Sequence, residues 1–312
     1  MGDSAQEHLE RGFALSEAGN NEEAEAEYRL ALKINPDYAL VYNNLGYLLN
    51  KLERYEEALV LLRKGVYINP RLRWFYANLG VALRYLGRYD EAIIAYRIEL
   101  EYEPKCALVY YNVALVLEAK KDLTAAITSY RIAIDYDPAY VNAYLKLGTA
   151  LLRNGDIEEA IKVEREAIRL DPTLAKAHYN LGNALSRKED WEGALASYAK
   201  AVELAPQWTT ARRVYAFVLA GALRTDEAIA EYRQVLHLKP QDAEAWAGLA
   251  MNLLVRALNE ESRQGVEAAQ EAVERAYQLN PKDAETRKLR KDIQRVLLLF
   301  RVRFGIRWPW RK

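Results

Sequence analysis

The chain has 312 residues, of which 51% are hydrophobic, and its 44 Lys and Arg residues balance 44 Asp and Glu residues. A single Cys and three His exclude a disulfide framework and a thiolate metal cluster, and they leave little material for a catalytic metal site. The low Gly and Pro counts, 15 and 9, favour helices over a β-sandwich or a disordered chain.

The N-terminal segment carries no sign of a secretory leader. It begins MGDSAQEHLE, which is acidic and polar and lacks an apolar stretch. No uncharged apolar run elsewhere approaches the roughly 18 residues that a membrane-spanning helix needs. The sequence therefore predicts a cytoplasmic protein.

Prolines divide most of the chain into equal segments. Seven of them recur at one constant interval, and an eighth follows after a longer one: Pro36, Pro70, Pro104, Pro138, Pro172, Pro206, Pro240 and then Pro281. A small residue recurs at a fixed distance from these prolines: Gly12, Gly46, Gly80, Ala114, Gly148, Gly182, Ala216 and Ala250. A spacing this regular predicts a repeated structural unit.

Each segment between prolines has the pattern of two amphipathic helices. Apolar residues lie three and four positions apart in two stretches, which a short turn separates, as at residues 51–54. Small residues would let the two helices of a hairpin approach closely, and large ones such as Tyr96 and Tyr198 would fill the space between neighbouring hairpins. Because one hairpin cannot bury its apolar face alone, the pattern predicts an all-α solenoid of stacked hairpins.

These columns resemble the tetratricopeptide repeat. The sixth segment shows the match at His178, Leu181, Gly182, Ala194, Tyr198, Ala201 and Pro206, and the second at Tyr42, Leu45, Gly46, Ala58 and Pro70. The resemblance covers residues 5–282 in eight consecutive units. It implies a right-handed superhelical α-solenoid whose first helices line a concave groove.

The end of the chain departs from the family pattern. The eighth unit carries about seven extra residues near 259–265, which would lengthen its first helix or its turn. A helix over 283–300 would cap the last apolar face, with Leu289, Ile293 and Val296 on its buried stripe. Residues 301–312 would form a basic-aromatic tail.

An asparagine column occupies one position of the first helices. Its members are Asn44, Asn78, Asn112 and Asn180, and Lys146 interrupts it. The column resembles the asparagine ladder of the O-linked N-acetylglucosamine transferase solenoid, and the resemblance implies that it faces the groove. An asparagine there can donate to and accept from the backbone of an extended peptide. The alternative is a consensus asparagine that is exposed or bonded to its own neighbours.

Cations, tyrosines and two further asparagines are predicted for the same groove in units four to seven. They are Tyr111, Asn142, Lys146, Arg153, Lys176, Tyr179, Asn183, Arg187 and Arg213. Cations beside tyrosines suit an acidic segment of a protein client, although some of these side chains would simply be solvated surface. The carboxylate clamp of chaperone-binding relatives is incomplete, because Tyr179, Thr210 and Val214 stand where its polar groups are required. A chaperone-tail receptor is therefore not predicted.

The C-terminal stretch 287–312 is strongly basic. Ten Lys and Arg face a single Asp there, a net charge of +9, so residues 1–286 carry −9. In the tail, apolar and basic residues alternate; the candidate contacts are Arg301, Arg303, Phe304, Arg307, Trp308 and Trp310. These residues suit contact with an anionic membrane surface, with a partner protein or with the chain's own acidic repeats. The purely structural alternative is an extended tail that packs on the last repeat.

The sequence predicts a non-enzyme without cofactor or metal. The common phosphate-cradling, metal-binding and nucleophile motifs do not occur in it. Nucleic-acid binding is not expected, because the repeats are acidic where an RNA reader carries a basic footprint. The main hypothesis is an adaptor or assembly factor that binds an extended or helical client segment in the groove. The alternative is a peripheral membrane scaffold anchored by its tail.

Overall fold

The computed structural model describes the backbone of residues 3–303 and the side chains of residues 3–299. Over this range the chain forms seventeen α-helices and no strand, so the all-α prediction is confirmed. Contacts divide the chain into two units, Met1–Gly155 and Asp156–Lys312. None of the helices in the described range is long and apolar enough to cross a membrane.

The helices of each unit follow one another in antiparallel hairpins. The first unit contains α1 (Ala5–Glu17), α2 (Asn21–Ile34), α3 (Ala39–Lys51), α4 (Tyr55–Ile68), α5 (Phe75–Tyr85), α6 (Tyr89–Tyr102), α7 (Ala107–Ala119), α8 (Leu123–Tyr136) and α9 (Val141–Asn154). The second contains α10 (Ile157–Leu170), α11 (Ala175–Arg187), α12 (Trp191–Leu204), α13 (Thr209–Gly221), α14 (Thr225–Leu238), α15 (Ala243–Asn259), α16 (Arg263–Leu279) and α17 (Ala284–Arg303). The bounds match the predicted hairpins, with the prolines between them.

Close helix contact depends on the small-residue column. A methyl group added to Gly80 on α5 would lie 2.5 Å from the Tyr96 ring on α6, and one on Gly182 would lie 2.7 Å from Tyr198. These tyrosines therefore pack against the first helix of their own hairpin. Two other members of the column contact the following hairpin, as the sequence suggested: the Tyr232 ring lies against Gly248, and the Tyr28 hydroxyl is hydrogen-bonded to Asn44.

A recurrent hydrogen bond ties several first helices to the preceding turn. In these helices the side chain of the fourth residue donates to the carbonyl of the proline in that turn. The pairs are Tyr42 with Pro36 (3.0 Å), Tyr144 with Pro138 (3.2 Å), His178 with Pro172 (3.1 Å), Arg212 with Pro206 (3.2 Å) and Trp246 with Pro240 (2.9 Å). The bond fixes the angle at which the chain enters the helix.

The third hairpin begins differently. Its first helix starts at Phe75, after Trp74 adopts a left-handed backbone conformation with φ of 72°. The buried carboxylate of Glu99 accepts hydrogen bonds from the amides of Trp74 (2.9 Å) and Ala77 (3.2 Å). These amides have no partner within the helix, so a side chain from α6 caps α5.

The insertion in the eighth repeat lengthens both helices and leaves the turn short. Helices α15 and α16 have 17 residues each, whereas the other hairpin helices of the second unit have 13 or 14. Helix α17 then buries Leu289 and Ile293 against this hairpin. It ends at Arg303, so residues 301–303, which were predicted to begin the tail, are helical.

Candidate protein-binding surface

Four of the predicted residues lie on one face of α11. Lys176, Tyr179, Asn183 and Arg187 are three or four residues apart, so their side chains project from the same side of the helix. We call these four residues the α11 face. Lys176 and Arg187 are exposed, whereas Tyr179 and Asn183 are half-buried. The other side of the helix supplies the buried residues: Ala177, Asn180, Leu181, Gly182, Ala184 and Leu185.

Aromatic rings hold the Lys176 end of this face in place. The Lys176 ammonium lies 5.7 Å from the centroid of the Tyr179 ring and 5.3 Å from that of Trp208. The two rings lie 4.8 Å apart, and Tyr179 also meets the edge of Tyr198 at 5.8 Å. A cation over two ring faces is attracted by both. The structure thus adds Trp208, which the repeat pattern did not indicate although it directly precedes the next first helix.

The side chain of Asn183 is oriented by Tyr198 of α12. The Tyr198 hydroxyl donates to Asn183 Oδ1 at 2.8 Å and lies 3.3 Å from the Ser186 hydroxyl. Burial raises the pKa of Tyr198, so the hydroxyl keeps its proton for this bond. With Oδ1 engaged, the Asn183 amide NH₂ is directed as a donor.

The asparagine column is largely engaged within the fold. Asn112 is 8% exposed and donates to the Leu108 carbonyl of its own helix at 3.0 Å. Asn180 is 5% exposed and donates to Glu164 at 2.9 Å.

Two column members in the first unit also have internal partners. Asn78 donates to Asn43 at 2.9 Å, and Asn44 is hydrogen-bonded to the Tyr28 hydroxyl. These bonds match the alternative in which the asparagines of the column are hydrogen-bonded to their own neighbours. Client contact by Asn44, Asn78, Asn112 and Asn180 stays a prediction.

The remaining predicted residues are more scattered. In the first unit, Asn142 and Lys146 are exposed, and Arg153 forms an ion pair with Glu118 at 2.8 Å. Tyr111 is half-buried, with its ring centroid 5.0 Å from that of Tyr140.

The last of these residues, Arg213, belongs to the second unit and is paired with Glu244. Two of the predicted cations, Arg153 and Arg213, are therefore already neutralised by carboxylates.

A buried carboxyl group, which the repeat pattern did not indicate, lies beneath the α11 face. Glu164 on α10 is fully buried, and its Oε1 accepts from Asn180. Its Oε2 has no hydrogen-bond partner among the described residues. Burial raises the pKa of Glu164 to about 9, and the Asn180 bond and the Lys176 charge offset only part of this effect. The carboxyl group is therefore neutral at pH 7.

Family models match this architecture in successive segments. Models described as tetratricopeptide repeat match residues 39–72, 78–135, 124–175 and 145–207, and a TPR repeat model matches residues 12–53. The chain belongs to the tetratricopeptide repeat family. TPR proteins are generally non-catalytic interaction scaffolds that bind peptide or protein partners.

Solved TPR structures share the fold. The TPR protein YrrB, described as having an unusual peptide-binding site, is 25% identical, with a TM-score of 0.53 over 63% of this chain and 98% of its own. The C-terminal part of a TPR protein from Cytophaga hutchinsonii is 21% identical, with a TM-score of 0.64 over 79% and 98%. PilF of Pseudomonas aeruginosa is 20% identical, with a TM-score of 0.58 over 70% and 96%. The last two show the fold alone. No curated protein matches the chain.

The predicted tail contacts fall at the edge of the described range. Arg301 and Arg303 belong to the last turn of α17, and nothing is described of their side chains. Phe304, Arg307, Trp308 and Trp310 lie outside the described residues.

Proposed function

We propose that this TPR protein is a non-catalytic adaptor or assembly factor that holds a segment of a client protein on the exposed faces of its first helices. The observation that carries the proposal is the α11 face, which places two exposed cations, a tyrosine and an oriented amide along one helix. YrrB, with its described peptide-binding site, supports the same kind of ligand.

The α11 face suits an acidic stretch of the client. Lys176 and Arg187 lie at opposite ends of the face, about 16 Å apart along the helix. Between them, Tyr179 offers apolar contact area and Asn183 offers an amide donor. Because neighbouring rings already restrain Lys176 and Tyr179, less side-chain entropy is lost on binding.

Affinity capture with charge reversal tests this proposal. The Lys176→Glu/Arg187→Glu variant should lose the main client of the full-length chain, at low salt most clearly, because two attractive charges become repulsive. The matched control is Lys162→Glu/Arg165→Glu, the same charge change at exposed positions of α10. Equal capture by both folded variants would refute the proposal.

A second candidate function is attachment to an anionic membrane surface. Helix α17 presents four exposed cations, Arg287, Lys288, Lys291 and Arg295, and the last of them is ion-paired with Asp292. Leu298 and Leu299 further along the helix are 57% and 66% exposed. Basic and apolar groups side by side favour a phosphatidylserine-containing bilayer.

Vesicle co-sedimentation tests the membrane candidate. The full chain should sediment with phosphatidylserine vesicles, less with neutral ones, and less after deletion of residues 301–312 or reversal of Lys288 and Lys291. Sedimentation that none of these changes reduces would rule this candidate out.

A further inference from the structure

An open pocket of about 600 Å³ lies on the first helices at the C-terminal end of the second unit. Helices α13, α15 and α17 line it, together with Tyr232 of α14. Its position continues the α11 face, because Asn183, Phe217 and Met251 occupy the same position in three consecutive repeats. We call it the C-terminal pocket. The face changes character here, from polar side chains on α11 to apolar ones on α13 and α15.

The walls of the C-terminal pocket are apolar and exposed. Phe217 is 71% exposed and Met251 is 47% exposed. Both lie on well-formed helices and both line the pocket. A phenylalanine ring and a flexible thioether left open to water can bury much area against an incoming apolar side chain, and methionine adapts to its shape.

The floor of the pocket is rigid. It is formed by Tyr232, Gly248 and Leu289, and the tyrosine and leucine are buried. A methyl group added to Gly248 would lie 2.3 Å from the Tyr232 ring, so only glycine allows this close approach. The space above it is therefore set by the fold and exists before any ligand binds.

The rim of the pocket is acidic. Glu244, Asp283 and Glu285 line it together with one cation, Arg213, which is paired with Glu244. Asp283 caps the start of α17 by accepting from the Thr286 amide at 2.7 Å. This hydrogen bonding lowers the pKa of Asp283, which keeps it charged. Three carboxylates against one neutralised guanidinium leave the rim net negative.

We infer that the C-terminal pocket binds an apolar anchor, such as Trp, Phe or Leu side chains, on a client segment that also carries Lys or Arg beside the anchor. The apolar walls bury the anchor and the carboxylate rim selects the flanking cations. The inference rests on the proposed function and adds a second specificity. The client segment is acidic over the α11 face and apolar-basic over the pocket.

A peptide-binding measurement on the full chain tests the inference. The probe, the lysine peptide, is a fluorescein-labelled synthetic peptide with Trp and Leu at helical spacing and flanking lysines. The matched control, the glutamate peptide, has glutamates in place of the lysines. Fluorescence anisotropy should show binding of the lysine peptide at least about tenfold tighter than the glutamate peptide. Equal affinities for the two peptides would overturn the inference.

Two variants locate the binding. Phe217→Ala/Met251→Ala should weaken binding of the lysine peptide about tenfold or more, whereas Glu285→Lys should weaken it about threefold, mainly at low salt. The matched control is Phe13→Ala, which removes a 55% exposed ring from the corresponding position of the first repeat and should leave affinity unchanged. Loss in Phe13→Ala as large as in the pocket variants would overturn the inference.

Two further outcomes distinguish failure of this inference from failure of the proposed function. If Lys176→Glu/Arg187→Glu abolishes client capture and Phe217→Ala/Met251→Ala leaves both client and peptide bound, the proposed function stands and the pocket inference fails. If the wild-type chain binds no lysine peptide and a chain ending at Arg303 does, the pocket belongs to the chain's own tail and the inference is equally overturned.

Discussion

At the scale of single residues, Glu164 is the exception in an otherwise regular pattern. The other members of its column are large: Tyr28, Leu62, Tyr96, Tyr130, Tyr198 and Tyr232. A glutamate in that column is visible in the sequence, but its neutral state depends on burial that only the structure shows. The same holds for the asparagines, whose spacing is apparent while their internal partners are not.

The first prediction concerns the pH dependence of stability at Glu164. Its pKa is about 9 in the folded chain and near 4.5 without the fold, so between these values folding requires the uptake of a proton. Stability should therefore fall as the pH rises from about 5 to about 9. Glu164→Gln removes this dependence and should raise the free energy of unfolding by at least ~1 kcal/mol at pH 8.5.

Thermal or urea unfolding at two pH values checks this prediction. The difference between Glu164→Gln and wild type should be larger at pH 8.5 than at pH 6, because more of the wild-type penalty is present at the higher pH. A difference that does not change with pH would contradict the assigned protonation state.

At the scale of helices, the hairpin contact was predictable because it depends on a residue type at a fixed interval. The second prediction uses this contact. Gly80→Ala should lower the free energy of unfolding by about 1–3 kcal/mol, because the added methyl group collides with the Tyr96 ring. Gly221→Ala is the matched control, since a methyl group there has no atom within 4 Å. Urea unfolding should show the control unchanged or stabilised by up to ~1 kcal/mol, and an equal loss in both variants would contradict the contact.

The start of α5 was not predictable from its own residues. The other first helices that follow a repeat proline begin three residues after it, whereas α5 begins five residues after Pro70. The structure uses a left-handed Trp74 and a cap from Glu99, which belongs to the following helix. Long-range partners of this kind leave no local pattern in the sequence. The same reason explains why the site's Trp208 and its contact with Lys176 were not foreseen.

The third prediction tests this cap. Glu99→Ala leaves two helix-start amides without their acceptors and should lower the free energy of unfolding by about 1–3 kcal/mol. Glu99→Gln retains one carbonyl oxygen and should lose less. Hydrogen exchange followed by mass spectrometry should show faster exchange confined to the start of α5. Unchanged exchange there in Glu99→Ala would argue against the capping role.

At the scale of the whole molecule, the repeat pattern predicted an α-solenoid built of hairpins, because one constant interval holds from Pro36 to Pro240 before it is interrupted. The pattern could not specify which first-helix positions remain open to a ligand. In the second unit the open positions form two chemically distinct areas, the cationic α11 face and the acidic, apolar C-terminal pocket. Their order along the unit implies a direction for the client segment.

Site-specific photo-crosslinking tests the central claim, that clients bind the first-helix faces, most directly. A photoreactive amino acid would replace Asn183 or Phe217 on the first helices, or Lys162 or Gln234 on the exposed sides of second helices α10 and α14. We expect client adducts from the first-helix positions and few from the second-helix positions. Adducts that form equally well from both sets, or mainly from the second helices, would contradict this claim.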